Sequence, residues 1–290
     1  MTEGSPAAAP AAATGPALEL RGITAGYNGG PAVLENVQLE IGSREYLAII
    51  GPNGGGKTTL LRVLLGLVEP RRGSVVSHLP HGRKRLGYVP QYSTFEAGVP
   101  LRVEEVVLMG RISRRGLGRR YRREDREAAR RALEAVHLED RAQEPATELS
   151  GGQIQRVLIA RALAGEPEAM LLDEPLASLD VESRRVVREL LLELHRTMPV
   201  VLVTHDPAAV AQEVQSIACV NRSLTYHGSG ELTSEVLEET YGCPVDLIAH
   251  GVPHRVLAPH SHEGSTSGHV PAHGHAHGPS QDGSGGGSHE

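Results

Sequence analysis

Three short runs carry residues whose types and spacing can handle a phosphate chain. GPNGGGKT at Gly51–Thr58 fits a glycine-rich loop closed by lysine and a hydroxyl residue. Its glycines let backbone amides turn toward an anion, a following helix start adds positive dipole, Lys57 reaches terminal phosphates, and Thr58 offers a hydroxyl to Mg²⁺. MLLDEP supplies two adjacent carboxylates, Asp173 suited to a metal and Glu174 to polarising an attacking water. Lone Asp-Glu pairs are common on surfaces, but this one follows an apolar run and precedes Pro175. His205, after VVLVT, is a group for contacting a phosphate or that water.

A fourth run raises a question. LSGGQIQR, Leu149–Arg156, is a second glycine-rich turn at a helix start, where Ser150, Gly151 and Gly152 offer amides and a hydroxyl to an anion but no lysine follows. One nucleotide needs one cradle, so a second such turn in the same chain leaves open what it serves.

These residues need elements to position them. YLAII before Gly51, AMLL before Asp173 and VVLV before Thr204 are continuous apolar runs, the pattern of strands buried on both faces of a parallel sheet. Each stops at polar residues, Asn53 and Lys57, then Asp173 and Glu174, then His205. In open α/β sheets ligands bind beyond the carboxyl ends of the strands, so the three clusters point to one site. Leu60, Leu61, Leu64 and Leu65 stand at helical spacing after the first run, and Val186, Val187, Leu190, Leu191 and Leu194 before the third. Leu18 to about Tyr46 alternates apolar and polar in short stretches, as half-exposed antiparallel strands do. Between Gln91 and Leu149 the pattern turns helical, with Ala129, Leu133 and Val136 on one face. That insert opens with the arginine-dense RISRRGLGRRYRR from Arg111, read as a solvated face, with contact to lipid phosphates or a partner as the sharper alternative.

Composition narrows the function. The 290 residues can bury a real core. With 35 acidic and 29 basic side chains the net charge is −6, and with no Trp and one Phe nothing favours a nucleic-acid partner. Cys219 and Cys243 read as free thiols. The Ala/Pro-rich opening, 1–17, fails as a secretory signal and reads as a disordered leader. No apolar run approaches the ~20 residues that cross a bilayer.

The phosphate-loop and carboxylate residues, taken with LSGGQ, YVPQ, SLD and AGYNGG, resemble the ATP-binding cassette (ABC) family over about Leu18–Gly228. The resemblance implies an α/β fold: a P-loop NTPase core with a parallel sheet, an antiparallel β subdomain and an inserted helical subdomain at about 92–165. Beyond the 18–228 domain come a C-terminal extension at 229–258 and a disordered, histidine-rich tail at 259–290. The resemblance implies ATP contacts at Gly51, Pro52, Asn53, Gly54, Gly55, Gly56, Lys57, Thr58 and Thr59, with Tyr27 stacked on adenine. It gives Mg²⁺ to Thr58, Gln91 and Asp173, and catalysis to Glu174 as base with His205 as switch. It also answers the question of the second turn, because in the family Ser150, Gly151, Gly152, Gln153 and Asp180 would complete the ATP site of a second copy. The family passes the resulting opening and closing to a separate integral membrane permease, from the cytoplasmic face of the membrane.

STFEAGVPLRVEEVVLMGR, CVNRSLTYHG and LEETYGCPVDLIAHG resemble the branch serving zinc and manganese importers, implying an extracytoplasmic metal-binding protein as an indirect partner. Nine of the fifteen histidines lie from His250 onward. His273, His275 and His277, alternating on a flexible tail, can gather around Zn²⁺; a solvated low-complexity tail is the plainer reading. The expectation is an ATPase subunit powering divalent-metal uptake, zinc first. The alternatives are manganese, iron or another cargo, and a soluble cassette ATPase outside transport.

Overall fold

A computed structural model describes residues 15–27, 29–91, 101–115, 118–205, 214–228, 240, 247–249 and 255–257. All lie in one compact unit, Met1–Ala258; a second unit, Pro259–Glu290, falls outside them, and with it the expected zinc ligands His273, His275 and His277. Residues 1–14 of the leader and most of 229–258 also lie outside, while Pro16 and Ala17, read with the leader, instead open the first strand, where Ala17 is buried.

β1 (Pro16–Ala25) and β2 (Leu34–Gly42) pair antiparallel, Leu18 opposite Ile41 and Leu20 opposite Leu39. Alternation along β2 buries Leu34, Val37, Leu39 and Ile41 and leaves Gln38 and Glu40 in water, as a one-sided sheet requires. β3 (Tyr46–Ile50) is buried at every residue and runs into α1 (Lys57–Leu64). Leu60, Leu61, Val63 and Leu64 of α1 are wholly buried, each such side chain contributing roughly 1.5–3 kcal/mol by burial. β4 (Arg72–Ser77) returns to the other edge of β1 and completes a three-stranded antiparallel sheet, order β2-β1-β4. This third strand has no sequence signal, because Arg72, Gly73 and Ser74 are exposed and break the alternation.

β5 (Leu86–Val89) leads to Gln91. The helical insert follows, with α2 (Val103–Leu108), α3 (Ile112–Arg115), α4 (Arg123–Ala135) and α5 (Gly151–Ala164). Ala129, Leu133 and Val136 are buried as expected. The arginine-dense segment divides: Arg119, Arg120, Arg122 and Arg123 are exposed, whereas Arg111 is buried, its Nε donating to Asp125 Oδ1 at 3.0 Å and its Nη1 to the Ala164 carbonyl at 2.8 Å. Arg111 is therefore a structural clamp from the α2–α3 corner to α4 and the end of α5. Breaking such a pair leaves an uncompensated buried charge.

β6 (Ala169–Asp173), α6 (Val181–His195) and β7 (Val200–Val203) follow, then β8 (Ser216–Asn221) and β9 (Ser223–Gly228). The main sheet has order β5-β6-β7-β3-β8-β9, parallel except for β9, which pairs antiparallel with β8. The three expected parallel strands, β3, β6 and β7, are adjacent at its centre. β10 (Leu247–Ala249) and β11 (Arg255–Leu257) form a separate pair.

Candidate nucleotide site

The carboxyl ends of β3, β6 and β7 meet at one edge, and the three clusters meet with them. Glycine is required where the loop leaves β3: a Cβ on Gly51 would stand 2.0 Å from the Val220 carbonyl oxygen, so the end of β8 and the turn into β9 buttress the loop from behind. Arg222 in that turn donates its N–H to the Gly55 carbonyl at 2.9 Å. Gly56 sits at φ 103°, with Leu34 Cδ2 2.6 Å from where a Cβ would be.

Lys57 is buried in this loop, its ammonium donating to the carbonyls of Gly51 at 2.8 Å and Pro52 at 3.0 Å. Burial pulls its pKa below the ordinary lysine value, against the opposing charges of Glu174 and Asp173. The Thr58 hydroxyl donates to Asp173 Oδ2 at 2.9 Å. Asp173 Oδ1 is buried without a hydrogen-bond partner, and burial pushes the carboxyl's pKa up. A buried acceptor with no donor is what a cation would satisfy, so the pair Thr58 and Asp173 fits Mg²⁺.

Glu174 follows at φ 51°, a left-handed backbone unusual for glutamate. Its N–H bonds the Val203 carbonyl at 2.9 Å, which keeps the turn on β7. Strain of this kind, of order 1–3 kcal/mol, persists only where the surroundings fix it. The side chain is buried, and the half-exposed His205 meets its Oε1 through Nδ1 at 2.8 Å. A carboxylate held by an imidazole, beside an acceptor without a donor and a buried lysine, can accept a proton from a water placed among them.

Asn53, Gly54, Gly56, Lys57, Thr58, Thr59, Gln91, Asp173 and Glu174 line a cleft of about 310 Å³. Val33, from the stretch before β2, also lines it; nothing in the sequence around it marks this role. Gly51, Pro52 and Gly55 support the loop from outside that lining, and His205 also lies outside it, in contact with Glu174. Tyr27 stands outside as well, its hydroxyl 3.2 Å from Thr59 Oγ1.

Ser150, Gly151, Gly152 and Gln153 do not line the cleft. Ser150 caps α5: its Oγ accepts from the Gln153 N–H at 3.3 Å, while Gln153 Oε1 accepts from the Ser150 N–H at 2.8 Å. Asp180 caps α6 through the Ser183 N–H at 2.9 Å and hydroxyl at 2.7 Å.

A family model described as ABC transporter matches residues 34–177. A manganese transport system ATP-binding protein of Listeria monocytogenes is 37% identical over 241 residues, 81% of this chain and the whole of that one. The chain belongs to the ATP-binding cassette family. It is an ATPase, with ATP and Mg²⁺ as the cofactors the family implies. A zinc uptake system ATP-binding protein of Listeria innocua is 37% identical, covering 73% of this chain and 85% of its own. Among solved structures, a dimeric cassette in a post-hydrolysis state bound to ADP and phosphate superposes with TM-score 0.60 at 30% identity, over 74% of this chain and all of that one. No helix among the described residues is long and apolar enough to cross a membrane.

Proposed function

We propose that this cassette is the ATP-hydrolysing subunit of an importer for a divalent metal ion, zinc first, working as a pair of copies beneath a separate membrane permease at its cytoplasmic face. An extracytoplasmic metal-binding protein feeds that permease. The observation that carries the paired arrangement is the separation of the two glycine-rich turns: the cleft at Lys57 is lined without any residue of 150–153, so those residues are left to serve a second copy.

Within one copy, Lys57 exchanges its two carbonyl partners for the β- and γ-phosphates. Thr58, Asp173 and Gln91 would hold Mg²⁺, which would neutralise charge on those phosphates. Glu174 takes the proton of the attacking water, and His205 keeps its carboxylate aimed. Ser150, Gly151, Gly152 and Gln153, with Asp180, come from the opposite copy. The γ-phosphate then joins the two copies, and its loss separates them.

Relatives named for manganese and for zinc support a metal cargo about equally; the histidines at His273, His275 and His277 favour zinc. Deleting the gene and measuring ⁶⁵Zn and ⁵⁴Mn uptake tests the cargo. Loss of zinc uptake alone is expected, loss of manganese uptake alone overturns zinc, and loss of neither overturns transport of both metals.

A further inference from the structure

Tyr27 follows β1 on a short loop, and the bonds to its hydroxyl come from α1. The hydroxyl meets Thr59 Oγ1 at 3.2 Å and accepts from Arg62 Nη1 at 3.0 Å. The guanidinium carbon of Arg62 lies 5.9 Å from the ring centroid, the outer limit for a cation–π contact, so the hydrogen bond is the stronger hold. Arg62 is exposed and makes no ion pair among the described residues. Its bond to Tyr27 is the one side-chain hydrogen bond it makes there. Tyr27 as a whole is 39% exposed, which leaves it surface for a ligand.

The same helix begins with Lys57 and Thr58. α1 therefore fixes both the phosphate end of the site and the aromatic ring, so the two keep a set spacing. An exposed aromatic on a loop must otherwise be ordered when a base stacks on it, which costs about as much as immobilising one side chain in an interface.

We infer that Arg62 is a positioning residue for the nucleotide base, holding the Tyr27 ring in its stacking pose before ATP arrives. This rests on the reading of Tyr27 as the adenine platform. Full-length chains are compared by calorimetry with Mg·ATP and with Mg·tripolyphosphate, which has no base. Arg62→Ala and Tyr27→Phe, the latter keeping the ring and losing only its hydroxyl, each weaken Mg·ATP binding roughly 2- to 10-fold and leave tripolyphosphate binding unchanged. The double variant binds no worse than either single one, and Arg62→Lys recovers part of the loss.

Equal losses for ATP and tripolyphosphate would mean that Arg62 acts on the phosphate loop, and the inference falls. Additive losses in the double variant would also overturn it. Unchanged ATP binding in Arg62→Ala beside a weakened Tyr27→Ala would sink the positioning role alone. Unchanged ATP binding in Tyr27→Ala would sink the platform reading beneath it.

Discussion

The turn at Gly51–Lys57 is buried at Gly51, Gly55, Gly56 and Lys57, and it faces an aspartate oxygen that has no partner. The turn at Ser150–Gln153 is exposed at Ser150 and Gly151, and a Cβ added to Gly151 would meet nothing within 4 Å. Its serine and glutamine satisfy each other. Both turns open a helix and both are rich in glycine, yet only the first lies against a buried carboxylate oxygen, Asp173 Oδ1, that a ligand can complete. The second is finished as a helix cap and offers a surface. A site assembled from one of each has its chemistry on one copy and its closure on the other.

Removing the chemistry has the largest effect. Glu174→Gln keeps the shape of the cleft and removes the proposed base, so ATP turnover falls on the order of 10²-fold or more while ATP binding persists. Steady-state hydrolysis beside equilibrium binding of labelled ATP separates the two. Near-normal turnover would move the base elsewhere and leave the first turn without its distinguishing carboxylate.

Changes at the second turn divide according to which way a glycine faces. Gly151→Asp enters open space, so the chain folds and binds ATP alone as before. In the proposed pair the new carboxylate would meet the phosphates of the opposite copy, and like charges placed together cost several kcal/mol; turnover drops at least about 10-fold. Gly152 faces inward, where a Cβ would stand 2.1 Å from Ser183 Oγ. Gly152→Ala therefore destabilises the chain by about 1–3 kcal/mol, read by urea unfolding, and adding Ser183→Gly restores it. Should Gly151→Asp weaken ATP binding to a single copy, the division of labour between the turns fails.

Much of this site was legible because its residues end runs with a clear pattern. Apolar runs stopping at Lys57, Asp173 and His205 announced three central strands and one shared edge, and the structure puts them there. The strands Leu86–Val89 and Ser216–Asn221 carry no such signal. The first has only four residues and two of them are partly exposed, too little for a period to emerge. Arg111 reads as solvated because its neighbours in sequence are arginines, while its partner Asp125 lies on α4. Gly152 reads as part of an anion-binding turn, and its contact with Ser183 on α6 is invisible until the two helices are packed. What escapes the sequence is pairing across distance; what it reveals is residue type at the ends of elements.

The smallest predicted effect concerns what the two parts of the site do to stability. Burial is the main reason the Asp173 carboxyl titrates above its ordinary range; the Glu174 charge adds to the shift, and the Thr58 hydroxyl bond and the Lys57 charge oppose it. A carboxyl whose pKa is higher folded than unfolded binds more protons in the native chain between those two values, so stability falls as pH rises through that interval. At neutral pH Asp173 thus weighs against the fold. Asp173→Asn, which keeps an acceptor for Thr58, melts slightly above the wild type at pH 7 without nucleotide, and the two curves converge toward pH 4. Saturating Mg·ATP reverses the order, because binding to the native chain raises its stability and the wild type binds better. Asp180 has the opposite sign: hydrogen bonds from the Ser183 backbone and side chain pull its pKa down, so its contribution is present at neutral pH and fades in acid. Asp180→Asn therefore melts slightly below the wild type at pH 7, and the gap holds down to about pH 4 and closes only below it. Thermal melts across pH 4–8 that moved both variants in the same direction would mean that the buried carboxylate is satisfied by the chain itself, and the contrast between a cradle awaiting a ligand and a self-completed cap would not hold.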